Sequence, residues 1–189
     1  SALGDVALSA ARNMALTNAS SSTGLLSVDA GEAVSLLAGS ARGAVTVTAG
    51  TGLQASMLSS ATSSVDATTA DGNLETQRVS AVEDVTLTAV TGDLSAGAVS
   101  TTRGDLALLS GGSMSVASAT LPGNLSAQAG GNADFGKLTS TAGRIDLAST
   151  NGSLSAGAVI ARTVFDAQAL QGAMTVGAFN AATASIEAG

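Results

Sequence analysis

The stretch GDLSAGAVS occupies residues 92–100, and GSLSAGAVI occupies residues 152–160. Seven of the nine letters agree, although the copies begin sixty positions apart. A looser copy, GAMTVGAFN, begins at Gly172, twenty positions after the second one. These separations indicate a tandem array whose repeat unit is about 20 residues long.

The whole chain follows this period. Marks placed two positions before each alternating apolar run recur at intervals of about 20 residues. These marks are Gly4, Gly24, Gly43, Ser63, Glu83, Gly104, Gly123, Gly143, Thr163 and Ala184. The first apolar column that follows them contains Val6, Leu26, Val45, Val65, Val85, Leu106, Leu125, Ile145, Phe165 and Ile186. Four further columns repeat in the same way, and the third of the five columns runs from Met14 to Met174.

Apolar residues two positions apart indicate β-strands, with Ser, Thr, Asp and Gln between them on a solvated face. The pattern predicts three short strands per unit, separated by corners. Two of these strands are longer than the third. A unit of this length cannot bury its apolar face alone, but stacked units can. We therefore predict an all-β fold, a right-handed parallel β-helix of about nine coils. Residues 1–189 form a single segment, interpreted as an excerpt of a longer repeat array.

Composition excludes several classes of function. The net charge is −7 and Lys137 is the only lysine, so no basic patch is available for nucleic acid or heparin-like polyanions. No stretch reaches the length of an apolar membrane helix, and no signal peptide opens the chain. We expect no nucleic-acid partner and no membrane insertion. A secreted protein with this sequence would be longer than 189 residues.

Catalysis and metal binding have little support in the sequence. Without His or Cys, chemistry would depend on carboxylates, Ser or Lys, and Asp146, Asp166 and Glu187 form the one predicted acidic strip. A solvated face explains that strip, and no long loop interrupts the array to wall a cleft. The calcium-binding GGxGxD pattern is approached once, at residues 130–134. We expect a protein that is not an enzyme and holds no metal or cofactor.

Two further candidate functions, ice binding and a role for the methionines, are not supported by the sequence. Ice binding would need a regular threonine ladder, which the outward position between the first two apolar columns does not supply. That position contains Ala7, Ser27, Thr46, Asp66, Thr86, Ala107, Ser126, Asp146, Asp166 and Glu187. Met14, Met114 and Met174 share an interior column, where filling the core is the expected role.

One short motif is a candidate receptor-binding site. Arg103, Gly104 and Asp105 form an Arg-Gly-Asp triplet of the kind that integrins bind. Gly104 also stands at a corner mark, and the same local preferences produce Arg42-Gly43 and Gly4-Asp5 at other corners. A corner between coils is exposed, so both a structural and a receptor-binding interpretation are kept.

The repeats resemble a known family. Runs such as GDVALSA (4–10), GAVTVTAG (43–50), TGDLSAGAVS (91–100) and GGSMSVAS (111–118) are similar to the repeats of the filamentous haemagglutinin family. Its members are two-partner-secretion exoproteins of Gram-negative bacteria. The resemblance covers the whole chain and implies a right-handed β-helical shaft, export through an outer-membrane transporter, and adhesion to host cells. The family's secretion domain has an Asn-Pro motif, whereas the only proline here, Pro122, follows Leu121.

Three functions are therefore compared. The first is the shaft of a secreted cell-surface adhesin that presents Arg103–Asp105 to a host-cell receptor, with an integrin as the candidate. The second is a passive spacer in a toxin-delivery exoprotein, and the third is a carbohydrate-active enzyme on the same fold. Because neither end shows an amphipathic cap, we also expect end-to-end self-association.

Overall fold

The computed structural model describes residues 2–189, which form β-strands and corners without a helix. The odd-numbered strands have five or six residues. They are β1 (Val6–Ala10), β3 (Leu26–Ala30), β5 (Val45–Ala49), β7 (Val65–Thr69), β9 (Val85–Ala89), β11 (Leu106–Ser110), β13 (Leu125–Ala129), β15 (Ile145–Ser149), β17 (Val164–Ala169) and β19 (Thr183–Ala188). The even-numbered strands have seven to nine residues. They are β2 (Met14–Ser21), β4 (Ala33–Ala41), β6 (Gly52–Ser60), β8 (Leu74–Ala81), β10 (Leu94–Thr101), β12 (Met114–Leu121), β14 (Ala133–Ser140), β16 (Leu154–Ala161) and β18 (Met174–Asn180).

The two sets of strands form two parallel sheets. The ten odd-numbered strands make one sheet and the nine even-numbered strands the other, each in sequence order. Every strand pairs with its counterpart in the neighbouring coils, as β10 does with β8 and β12. The predicted parallel β-helix of about nine coils with a 20-residue spacing is confirmed. The two similar stretches lie in β10 and β16, three coils apart in one sheet.

Each coil contains two strands, so the prediction of three was wrong. The predicted second and third strands are one continuous strand with a bend. In β10, Leu94, Ala96, Val99 and Thr101 are buried, and the alternation changes phase at residues 97–98. The ladder to β8 and β12 continues on both sides of that bend. The break in hydrophobic alternation was therefore a bend within a strand and not a corner between strands.

Two inward columns lie beside the corners and were not predicted. One is the last residue of each five-residue strand, such as Ala49 or Thr69, and the other ends most long strands, such as Ala41 or Ser60. These four residues are at most 5% exposed. Most side chains in these two columns are small, although Leu121 is an exception, while the large side chains of Phe135 and Phe165 lie in the predicted apolar columns. The apolar pattern correctly predicted the central columns of the core, but not the two columns of mostly small residues beside the corners.

The last coil differs from the predicted register. Ile186 was expected in the column of Phe165, but Ala184 lies opposite Phe165 and Ile186 lies opposite Ala167. Phe165 and its partner Ala184 are 19 positions apart, whereas the predicted partner Ile186 is 21 positions away, so the strand is displaced by two positions from the prediction. Phe179, in β18, packs against Phe165 instead, with ring centroids 5.8 Å apart.

We predict that a polypeptide of residues 1–189 associates end to end. In the last coil, Phe179 is 48% exposed and Ile186 is 43% exposed, beside strands whose outer edge is unpaired. Light scattering should show a mass that rises with protein concentration, and Phe179→Glu should lower it by placing a charge on the open coil. A monomer at every concentration would contradict the prediction.

Candidate receptor-binding corner

The turns from an even-numbered strand to the next odd-numbered strand, here called even-to-odd corners, alternate in length. Over the first seven of them, corners of four residues alternate with corners of three. The four-residue corners are 22–25, 61–64, 102–105 and 141–144, and the three-residue corners are 42–44, 82–84 and 122–124. The predicted triplet lies in the corner 102–105. This corner has one residue more than the corner on either side of it.

A buried hydroxyl precedes every four-residue corner. These residues are Ser21, Ser60, Thr101 and Ser140, whereas Ala41, Ala81 and Leu121 precede the three-residue corners. Ser60 Oγ donates to the carbonyl of Gly43 in the preceding coil, at 2.7 Å, and accepts from the N–H of Ser63, at 2.9 Å. The hydroxyl thus bonds main-chain groups of two successive corners. This role was not predicted, although residues with a hydroxyl alternate with apolar residues at the position.

Removing one of these hydroxyls should destabilise the β-helix. Ser60→Ala leaves the Gly43 carbonyl and the Ser63 N–H without their partner, so we expect a loss of about 1–3 kcal/mol in the free energy of unfolding. The control is Ser59→Ala, an outward neighbour whose hydroxyl has no protein partner in residues 2–189; its effect should stay within about 0.5 kcal/mol. Urea denaturation measures both, and equal effects would show that the bonds contribute nothing.

The triplet is partly exposed and partly built into the stack. Arg103 and Asp105 are exposed, whereas Gly104 is buried. A Cβ on Gly104 would lie 2.2 Å from the main-chain carbon of Glu83 and 2.5 Å from the nitrogen of Asp84. Only glycine fits so close to the preceding coil. The Gly104 carbonyl also accepts the Thr101 hydroxyl at 2.8 Å.

Asp105 belongs to a ladder of side-chain acceptors, here called the Asx ladder, formed by Asp84, Asp105 and Asn124. Asp84 Oδ1 accepts the N–H of Asp105 at 2.8 Å, and Asp105 Oδ1 accepts the N–H of Asn124 at 2.7 Å. Asn124 Oδ1 in turn accepts the N–H of Arg144 at 3.2 Å. One carboxylate oxygen of Asp105 therefore holds the next coil in place. The other has no protein hydrogen bond within residues 2–189.

Arg103 has no ionic partner in the part of the chain that the structure describes. The one ion pair there joins Arg144 to Asp146, at 2.7 Å. The hydrogen bond and charge of Asp146 raise the pKa of the Arg144 guanidinium, and the charge of Asp166 adds to this. The corner 102–105 thus presents a free guanidinium and one free carboxylate oxygen to solvent.

The structural contribution of Asp105 can be measured separately from any binding. Asp105→Ala removes the acceptor of the Asn124 N–H, and we expect it to lower the free energy of unfolding by about 1 kcal/mol. Asp105→Asn keeps an oxygen at Oδ1 and should cost less than half of that. Urea denaturation of the two variants beside the unmodified chain makes the comparison. If Asp105→Ala proved neutral, the Asx ladder would have no role in stability.

The predicted acidic strip is shorter than expected. Asp146 and Asp166 are neighbours in adjacent coils, but Glu187 lies opposite Gln168, because of the register shift in the last coil. Among residues 2–189, no three His, Cys, Asp or Glu side chains come close enough to hold a metal ion. The acidic strip therefore contains two residues, Asp146 and Asp166, and not the three that were predicted.

Two shallow grooves on the even-numbered sheet lie away from the strip. The first, of about 600 Å³, crosses coils one to five, and Glu75 is its one carboxylate. The second, of about 390 Å³, is lined by Glu75, Asp93 and Asp134 among other residues. Asp93 Oδ1 already accepts the N–H of Ser113 at 2.7 Å, as a corner side chain in a stack does. Neither groove includes Asp146 or Asp166.

A regular hydroxyl column exists, although on a different face from the one considered for ice binding. It runs outward along the even-numbered sheet through seven consecutive coils. Its members are Ser20, Ser40, Ser59, Ser80, Ser100, Thr120 and Thr139. The outward column beside it is irregular and includes Met57, Arg78 and Lys137. The hydroxyls therefore form a single row without the second matching row that a flat ordered array needs.

No protein-family model, curated protein or solved structure matches this chain. None of the residues 2–189 lies in a helix that is long and apolar enough to span a membrane. The assignment as a parallel β-helix therefore depends on the strand pairing within the chain itself. The resemblance to the filamentous haemagglutinin family remains a prediction.

Proposed function

We propose that this chain is a shaft segment of a large secreted bacterial adhesin, in which the corner 102–105 is presented to a host-cell receptor. The observation that supports presentation most directly is the length of this corner, one residue more than each neighbouring corner. Arg103 is exposed there without an ionic partner in the described residues. An arginine and an aspartate on either side of a glycine suit an integrin-type receptor, which is the partner proposed.

The wider setting of this proposal comes from the resemblance of the repeats. The full-length protein would be a member of the filamentous haemagglutinin family, exported through an outer-membrane two-partner-secretion transporter and held at the surface of a Gram-negative bacterium. A stack of parallel coils supports such a role because each coil contacts only its neighbours, so the array can be lengthened by adding coils. No catalytic role is part of the proposal.

A passive spacer, as in a toxin-delivery exoprotein, is the second candidate, and a specific observation favours it. Gly104 is required by stacking, and Asp105 Oδ1 is already bonded to the next coil. Both residues therefore have a structural reason to be present. The triplet would arise in a spacer wherever an arginine happens to precede such a Gly-Asp pair within a corner. Carbohydrate cleavage comes third, since its supposed acidic strip is divided between two columns.

The deciding experiment measures adhesion of integrin-bearing cells to the immobilised chain. Arg103→Ala and Asp105→Asn remove one charge each, and the latter keeps the acceptor of the Asx ladder. We expect each to weaken adhesion by about tenfold or more, equivalent to about 1.4 kcal/mol. Arg42→Ala, at an exposed arginine of another even-to-odd corner, is the matched control and should have no effect.

The other outcomes separate the two candidates. If every variant supports adhesion as well as the unmodified chain, a different surface binds the cells. If the unmodified chain does not bind, the spacer becomes the better description. Circular dichroism of each variant shows whether a loss of adhesion comes from a loss of the fold.

A further inference from the structure

Glycine occupies one position of the odd-to-even corner, the turn from an odd-numbered strand to the next even-numbered one, in six successive coils. These residues are Gly72, Gly92, Gly112, Gly131, Gly152 and Gly172. A Cβ on Gly152 would lie 2.5 Å from the nitrogen of Asn132 in the preceding coil and 2.6 Å from its Oδ1. Stacking therefore requires glycine at residue 152, whatever residue comes before it.

The residue before Gly152 is Asn151, and this is the single Asn-Gly pair in the chain. Asparagine is chemically labile when the following main-chain nitrogen can reach its side-chain carbonyl carbon. Glycine offers the least steric hindrance to that approach, because it has no Cβ. Asn151 is exposed, and its side chain makes no hydrogen bond within residues 2–189.

The attacking nitrogen is also free, which depends on the length of the corner. In the three-residue corners 111–113 and 130–132, the glycine at this position donates its N–H to the preceding coil, at 2.9 Å and 2.8 Å. In the four-residue corner 150–153, the other three residues make the bonds to the preceding coil. The N–H of Gly152 has no protein acceptor in the described part of the chain.

Four other asparagines at corners are held in place. Their Oδ1 atoms accept a main-chain N–H from the next coil, at 2.9 to 3.2 Å, and none of them precedes glycine. They are Asn13, Asn73, Asn124 and Asn132. Asn151 thus combines three properties that these residues lack: a free side chain, a following glycine and a free attacking nitrogen.

We propose that Asn151 is a site of spontaneous deamidation in the folded shaft. The Gly152 nitrogen loses its proton to solvent base and attacks Cγ of Asn151, forming a new C–N bond. The bond from Cγ to the side-chain nitrogen breaks, and that nitrogen takes up a proton and leaves as ammonia. Water then opens the five-membered imide at either carbonyl, giving aspartate or isoaspartate. The net change is water gained and ammonia lost, with one more negative charge on the chain.

The consequence differs between the two products. Aspartate adds a charge to an exposed corner and leaves the main chain unaltered. Isoaspartate adds a methylene to the main chain of a corner that stacks directly on coils above and below it. The corner 150–153 is then too long for its neighbours, so the contact between coils is expected to loosen at that point.

The test incubates the native protein at mildly alkaline pH and follows each asparagine by peptide mass spectrometry, with isoaspartyl methyltransferase labelling to detect isoaspartate. Asn151 should convert at least about tenfold faster than Asn73, Asn124 or Asn132, as a barrier about 1.4 kcal/mol lower would give. Asn151→Gln should abolish the signal, since the longer side chain disfavours the imide. Thr91→Asn, which precedes Gly92 in another four-residue corner, should create a second site.

A parallel incubation in urea keeps the proposal falsifiable. If Asn151 converts in urea but stays intact in the folded protein, the corner protects it and the proposal is overturned. Stability under both conditions would overturn it as well. If Asn151 converts while the asparagine introduced by Thr91→Asn does not, the free glycine nitrogen of a four-residue corner is not the cause.

Discussion

The main-chain hydrogen bonds between coils impose one spacing, ~4.8 Å, on every feature of this molecule. Each residue lies directly over its counterpart in the coil before it, so a side chain in one coil must suit the main chain of another. A Cβ on Gly50, for example, would lie 2.0 Å from the carbonyl oxygen of Gly31. Glycines, small residues beside the corners and buried corner hydroxyls are all found where a side chain must fit against the main chain of a neighbouring coil. The chain is therefore organised by columns and not by local elements.

The same constraint shapes the candidate site. A corner in a stack has one face toward solvent and two faces toward other coils. Some of its residues are therefore exposed, some pack against the neighbouring coils, and some do both. Arg103 belongs to the exposed face, Gly104 to the packed one, and Asp105 to both. A residue with both roles cannot be assigned to binding by its exposure alone. Charge and hydrogen-bond acceptance must be changed independently, which an amide in place of the carboxylate permits.

Much of this fold could be predicted from the sequence, because stacking repeats the same requirement in every coil. The column from Val6 to Phe165 was correct since each member faces the same interior. The bend at residues 97–98 was not predicted, because a change of phase looks the same in sequence whether or not the ladder continues. The register of β19 was missed because Phe165 and its partner Ala184 are 19 positions apart, whereas the apolar Ile186 suggested a separation of 21. The Asx ladder was also missed, since polar residues at exposed corners carry no periodic apolar signal.

The alternation of four- and three-residue corners limits how such a β-helix can change in length. Deleting one coil, for instance residues 85–105, would bring two corners of equal length together and would also place Ala81 and Leu121 in successive coils without a hydroxyl between them. Deleting two coils would leave the alternation intact. Between residues 22 and 144, where the alternation holds, duplications of two coils, about 40 residues, should therefore be accepted more readily than duplications of one coil, about 20 residues.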